Sequence, residues 1–239
     1  IEKALHTFNA ERIQKLIDRG VDWDDVNHVE IFDEIEADPA IRVLLLTGAG
    51  DRTFCSGASL DQMSSGQMSG AIFDTMTNRL AALRVPTVCA LNGDVYGGGA
   101  ELALCCDFVI GASDANFVMS YALRGLIPDG GSMYFLPRRV GLARAKELIF
   151  SGRRIDADEA LSINMIERVS TPECLIEDAV TMAKSMTVGS PDAIALTKSI
   201  MNKSFESTAE EIFALGSQAQ GICYTTDSPR KAVTAFLNR

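Results

Sequence analysis

Runs of apolar residues, separated by glycine, proline and polar stretches, divide the chain into elements. Val43-Leu44-Leu45-Leu46-Thr47 is a continuous apolar run closed by Gly48, the pattern of a strand buried on both faces. Thr87-Val88-Cys89-Ala90-Leu91 repeats that pattern and ends at Asn92-Gly93, and Phe108-Val109-Ile110 and residues 116–119 read as two further strands. Between them, Ile72, Met76, Leu80 and Leu83 recur on one face of a predicted helix, and residues 99–105 form another. Residues 10–38 read as an acidic helix with Ile13, Leu16 and Ile17 on one face, broken by Pro39. Beyond about residue 140 the pattern is nearly all helical. There Thr171-Pro172, Ser190-Pro191 and Ser228-Pro229 each put a capping residue before a proline at the first helical position. Buried strands alternating with helices predict an α/β fold with crossover connections. The predicted division is a β/α core over residues 1–188 and a helical C-terminal region over 189–239.

Composition narrows the function. The 239 residues suffice for one large domain with a substantial core. A formal net charge of −10 disfavours nucleic acid and anionic membrane as partners, while leaving room for a local basic spot facing a phosphorylated ligand. No apolar run approaches the ~18–20 residues that span a bilayer, and Ile1-Glu2-Lys3 opens no signal-peptide core. The six cysteines show no Cys-x-x-Cys spacing, so reduced thiols in a cytoplasmic protein are expected, with no metal site. His6 and His28 are the only histidines, which removes a Ser-His-Asp triad and histidine-rich metal centres.

Two glycine-bearing segments follow predicted strands: Phe54-Cys55-Ser56-Gly57-Ala58-Ser59-Leu60, and Asn92-Gly93-Asp94-Val95-Tyr96-Gly97-Gly98-Gly99-Ala100-Glu101-Leu102. Ligand clefts of open α/β folds lie at the carboxyl ends of strands. Consecutive glycines there allow close approach to the backbone, and a following helix aims free N–H groups at a developing negative charge. Taken singly, each segment also reads as a tight turn. Neither has the lysine and serine or threonine of a phosphate loop, nor the Gly-x-Gly-x-x-Gly spacing of a dinucleotide fold.

Together the segments resemble the two signatures of the enoyl-CoA hydratase/isomerase (crotonase) family. The resemblance spans residues 44–63 and 85–107, then Gly125-Leu126-Ile127-Pro128, Leu136-Pro137-Arg138, residues 143–151, Ala157-Asp158-Glu159-Ala160-Leu161 and Ala235-Phe236-Leu237. It implies a crotonase-like superhelix of ββα units with a helical C-terminal trimerisation region, assembled as a homotrimer or hexamer. It also implies an acyl-CoA thioester substrate, with coenzyme A as part of that substrate and no separate cofactor. The N–H groups of Ala58 and Gly98 match the family's oxyanion hole, where loss of one donor typically costs about 10²–10³ in rate. Glu101 matches the first catalytic glutamate of the hydratases, against the plainer reading of an acid favoured at a helix start. Ser56, Ser59, Leu60, Tyr96 and Tyr121 are the expected substrate contacts.

The chain departs from the family's pattern at several points. Tyr121 stands where two-glutamate hydratases carry the second glutamate, and a phenol with a reference pKa of about 10 is a poor base at neutral pH. A second acid, Asp129, lies in Pro128-Asp129-Gly130-Gly131, near where several family isomerases carry a proton-transferring acid; Pro-Asp-Gly is also a plain turn signal. Ser59 replaces a common aspartate, and the family's first strands are missing or unrecognisable in residues 1–37. The expected function is hydration or double-bond isomerisation of an enoyl-CoA through a thioester enolate. The alternatives are a non-catalytic acyl-CoA binder and another enolate chemistry such as decarboxylation. Met63, Met68, Ile72, Met76 and Phe135 are candidate lining for an acyl pocket, and residues 64–70 for a flap over it.

Overall fold

The computed structural model describes residues 2–8, 20–22, 28–50, 52–57 and 71–238. The chain opens with β1 (Glu2–Phe8), β2 (Gly20–Asp22), α1 (His28–Ala37), β3 (Val43–Gly48), β4 (Thr53–Cys55) and α2 (Ala71–Ala82). It continues with β5 (Thr87–Leu91), β6 (Asp94–Tyr96), α3 (Gly98–Leu104), β7 (Phe108–Ala112), β8 (Asn116–Val118) and a short 3-10 turn at Ala122–Arg124. Next come α4 (Ser132–Val140), α5 (Leu142–Ser151), β9 (Arg154–Asp156), α6 (Ala157–Ser162), β10 (Arg168–Ser170) and α7 (Leu175–Met186). The helices α8 (Pro191–Met201), α9 (Ala209–Thr225) and α10 (Ser228–Leu237) follow.

The larger sheet has the order β10-β7-β5-β3-β1-β2, and the smaller one β4-β6-β8-β9. The four strands from β10 to β3 are parallel, whereas β1 and β2 add antiparallel pairings at one edge. Every residue of β3 and β5 is buried, which is why these segments read as unbroken apolar runs. The register pairs Leu44 with Thr87 and Thr47 with Ala90, so the carboxyl ends of β3 and β5 lie side by side. Asn92 ties those ends together: its Nδ2 donates to Gly48 O at 3.0 Å and Gly50 O at 2.8 Å, and its Oδ1 accepts from Gly48 N at 3.0 Å. The two glycine segments therefore leave the sheet as neighbours.

Several expectations are corrected. Of the helix expected over residues 10–38, the described part is helical at 28–37, whereas Gly20–Asp22 pairs with β1 as an edge strand; Ile13, Leu16 and Ile17 lie outside the described residues. The opening strands expected to be missing or unrecognisable in residues 1–37 are present as β1 and β2, pairing through backbone groups that need little sequence signature. The nearly all-helical reading beyond about residue 140 does not resolve β9 and β10, each of 3 residues and too short to show a period. Thr171-Pro172 begins a turn rather than a helix, since α7 starts at Leu175, and the N-cap of α10 is Asp227 rather than Ser228. Ser190 occupies the N-cap position of α8 with Pro191 in its first turn, but its side chain makes no capping hydrogen bond. Six cysteines are free and four of them are buried.

Candidate active site

The site is built on the turn between β6 and α3. Gly97 takes φ 48°, ψ −121°, a conformation that favours glycine, and reverses the chain so that α3 starts at Gly98. The N–H groups of Ala100 and Glu101 return to Gly97 O at 2.8 and 3.3 Å. The Gly98 N–H, one residue into the helix, makes no such bond to another described residue. The other glycine segment packs directly on this turn. A Cβ on Gly57, at φ +82°, would lie 2.8 Å from Tyr96 O and 3.3 Å from Gly98 N. A Cβ on Gly99 would lie 2.5 Å from Cys55 O. Side chains are thus excluded at both positions by backbone contact, and residues 55–57 and 96–99 form one surface. Ala58, Ser59 and Leu60 lie outside the described residues, as do Met63, Met68 and the whole of 64–70.

Glu101 extends from the first turn of α3 and is only 1% exposed. Its Oε1 accepts the N–H of Ser132, the first residue of α4, at 3.2 Å. Gly131, at φ 114°, turns the chain so that this amide faces the carboxylate. Burial and the nearby charge of Asp129 favour the neutral acid, whereas the Ser132 and Gly130 amides and the Tyr121 hydroxyl favour the anion. Burial is the largest of these influences, and the carboxyl pKa is raised to about 7.

Tyr121 is buried to 6% exposure beneath the Gly97 turn, with its Cε1 3.9 Å from where a Gly97 Cβ would stand. Its oxygen lies 3.5 Å from Ser132 Oγ, and it faces Glu101. Burial first, then the charge of Glu101, raises its pKa, so the phenol keeps its proton. Asp129 is exposed on the turn before α4, with its N–H bonded to Ile127 O at 3.0 Å. The structure therefore brings Glu101, Tyr121, Asp129 and Gly98 to one place.

The remaining candidate residues occupy several settings. Tyr96 gives its hydroxyl to Asp94 Oδ2 at 2.8 Å, inside a network in which Asp94 also receives Asn116 and Arg154. Ser56 is exposed just before Gly57. Met76 is buried in the core, and Phe135 is half-buried with its ring against Gly131. Ser132 escaped the sequence reading. Its signal is a residue opening a helix directly after Gly130-Gly131, where backbone amides are free. Among the described residues there is no cluster of three metal-ligating side chains and no helix long and apolar enough to cross a membrane.

Comparison with known proteins gives a consistent picture. The sequence profile described as enoyl-CoA hydratase/isomerase matches residues 26–239. A short-chain-enoyl-CoA hydratase of Clostridium acetobutylicum is 32% identical over 99% of this chain and 88% of its own length. A 1,2-epoxyphenylacetyl-CoA isomerase of Escherichia coli is 33% identical over 99% and 93%. Among solved structures, an enoyl-CoA hydratase from Bacillus anthracis superposes with a TM-score of 0.85 at 31% identity, covering 89% of this chain and 84% of that one.

Proposed function

Because the chain belongs to the enoyl-CoA hydratase/isomerase family, whose crotonase fold and acyl-CoA chemistry it shares, we propose that it moves the double bond of an enoyl-CoA thioester, with Glu101 taking and returning the proton. The observation that carries this reading is Glu101, the one buried carboxylate among the described residues, facing a protonated phenol, Tyr121, at the position of a second carboxylate. A 1,3-proton shift needs one group that is a base in the first half and an acid in the second. A carboxyl with a pKa of about 7 populates both forms at neutral pH.

With a 3-enoyl thioester, Glu101 removes the α proton, and the C–H electron pair passes into a dienolate ending on the thioester oxygen. That oxygen is the expected ligand of the Gly98 and Ala58 N–H groups. Glu101-H then returns the proton to the γ carbon, which leaves the conjugated 2-enoyl thioester. Asp129, exposed at the rim, is the second candidate for either transfer. No cofactor enters this scheme, since coenzyme A is part of the substrate. Self-association into a trimer or hexamer is part of the same proposal.

Hydration is the second reading, favoured by the hydratases among the relatives. It requires water to be held and split, and Tyr121 supplies no second base for that. Two optical assays separate the readings, because the conjugated thioester absorbs in the ultraviolet. Isomerisation makes signal appear from a 3-enoyl-CoA, and hydration makes it vanish from a 2-enoyl-CoA. We expect the first, with Glu101→Gln lowering kcat by about 10²-fold or more. Activity lost in Asp129→Asn but kept in Glu101→Gln would transfer the proton to Asp129. CoA binding with neither optical change would leave a binder or a decarboxylase.

A further inference from the structure

Glu101 is held by a residue that also holds Tyr121. Ser132 is fully buried; its N–H meets Glu101 Oε1 at 3.2 Å and its Oγ lies 3.5 Å from the Tyr121 oxygen. We propose that Ser132 is a positioning residue: its amide fixes the Glu101 carboxylate while its hydroxyl, given to the Tyr121 oxygen, turns the phenol proton onto that same carboxylate. This rests on Glu101 being the group that moves the proton.

Donor accounting sets the direction. Tyr121 has one proton, and Ser132 Oγ can either give or accept. With Glu101 ionised and buried, a phenol proton aimed at Ser132 would leave the anion short of a donor, which is costly away from water. Ser132 to Tyr121 to Glu101 is then the favoured order, and a phenol that is itself accepting a proton is the stronger donor. When Glu101 takes the substrate proton, the demand on the phenol falls and the Ser132 hydroxyl can accept it instead. Alanine can do neither. The 3.5 Å separation is long, and such contacts typically shorten once ligand fills the site. The other titratable group acting on Glu101 is Asp129, which opposes the anion and lies outside this ring of contacts.

Ser132→Ala keeps the amide and removes only the hydroxyl. The test combines the pH dependence of kcat with a direct titration of Glu101, followed by the carboxyl carbon signal of glutamate-labelled protein and identified by its loss in Glu101→Gln. We expect Ser132→Ala to lower kcat about 10-fold with KM little changed. The Glu101 midpoint and the acid limb of the rate profile should both move to higher pH. Tyr121→Phe should move the midpoint in the same direction, and the double variant no further than Tyr121→Phe alone. Ser132→Thr, which keeps the hydroxyl, should restore the midpoint; if its extra methyl prevents folding, the alanine and phenylalanine cycle decides. An unmoved midpoint in Ser132→Ala, or additive shifts in the double variant, would overturn the inference. A shifted midpoint in a protein that isomerises no 3-enoyl-CoA would leave the inference standing and remove the proposed reaction.

Discussion

At the scale of single residues, Glu101 holds its proton more tightly folded than unfolded, which makes it a destabilising group once ionised. Its carboxyl is raised from 4.5 to about 7 by burial, even though the amide of Ser132 and the start of α4 favour the anion. Between those two pH values the folded chain carries a proton that the unfolded chain has lost. Stability from this group is therefore highest below about 4.5 and falls as pH rises through about 7. Glu101→Gln removes the titration while keeping the shape. It should melt higher than the parent at pH 8, by an amount corresponding to on the order of 2–3 kcal/mol, with the gain gone near pH 4.5. Thermal unfolding at the two pH values checks this, and a pH-independent difference would mean that the carboxylate is solvated. Several of the residues that the fold brings together were legible beforehand. Glu101, Gly98 and Asp129 stand out through type and position beside glycines. Ser132 was not, because its contribution is a backbone amide and a hydroxyl aimed by a fold that joins residues 31 apart.

At the scale of elements, α8 shows how the C-terminal helices are held. No residue of α8 is fully buried, so apolar packing alone holds it weakly. The side chain of Lys198, in its last turn, is 10% exposed and reaches Asp107 Oδ2 at 2.7 Å and Val85 O at 2.9 Å. Asp107 Oδ2 also accepts the Thr87 N–H at 2.8 Å, so one carboxylate joins α8 to β5 and to the start of β7. Around this pair, Arg42 bonds Gly189 O at 2.6 Å and Asn202 bonds Ala81 O at 3.1 Å. Lys198→Ala leaves a mostly buried carboxylate without its cation, at an expected cost of about 1–3 kcal/mol. Hydrogen exchange should then speed up in residues 191–201 well before it does in β3 and β5. Equal acceleration in the sheet would show that the pair supports the whole fold rather than the attachment of one helix. Among elements, the buried strands were readable because both faces are covered, whereas β4, β6, β9 and β10 were not. Each is 3 residues long and defined by its partner more than by its own pattern.

At the scale of the molecule, the C-terminal helices leave a large apolar surface. Phe213 is 74% exposed beside Met201 and Tyr224, and Phe205, Phe236 and Leu237 are exposed elsewhere in the same C-terminal region. A groove of about 830 Å³ runs between α8 and α9, lined by Ile200, Met201, Ile212, Phe213 and Tyr224. Gly216 and Gly221 sit inside α9 with open space where a Cβ would be, although each costs a helix roughly 0.5–1 kcal/mol relative to alanine. Among the described residues none packs against them closely enough to require glycine there, and a close-packed neighbour would. Leu123, Leu142 and Phe150 are also exposed, on α5 and on the 3-10 turn that packs against it. Exposed apolar residues in two regions of one chain suit head-to-tail contact that closes into a ring. Sedimentation should give a mass three or six times that of one chain, and Phe213→Asp should lower it. A wild-type monomer at micromolar concentration would count against the assembly.

The sequence by itself determined the α/β class, the family, the glycine turns at 57 and 97–99, and the acid placed one helical turn beyond them. These are properties of local pattern: burial on both faces writes an apolar run, and close backbone approach admits only glycine. The tertiary structure alone decided that Glu101 would face Ser132 and Tyr121, that its carboxyl would stay protonated to about pH 7, and that Tyr96 would turn to Asp94. It also decided that the opening residues would pair as strands. Desolvation, donor supply and strand pairing depend on what the rest of the chain brings alongside, and residue type does not encode that neighbourhood.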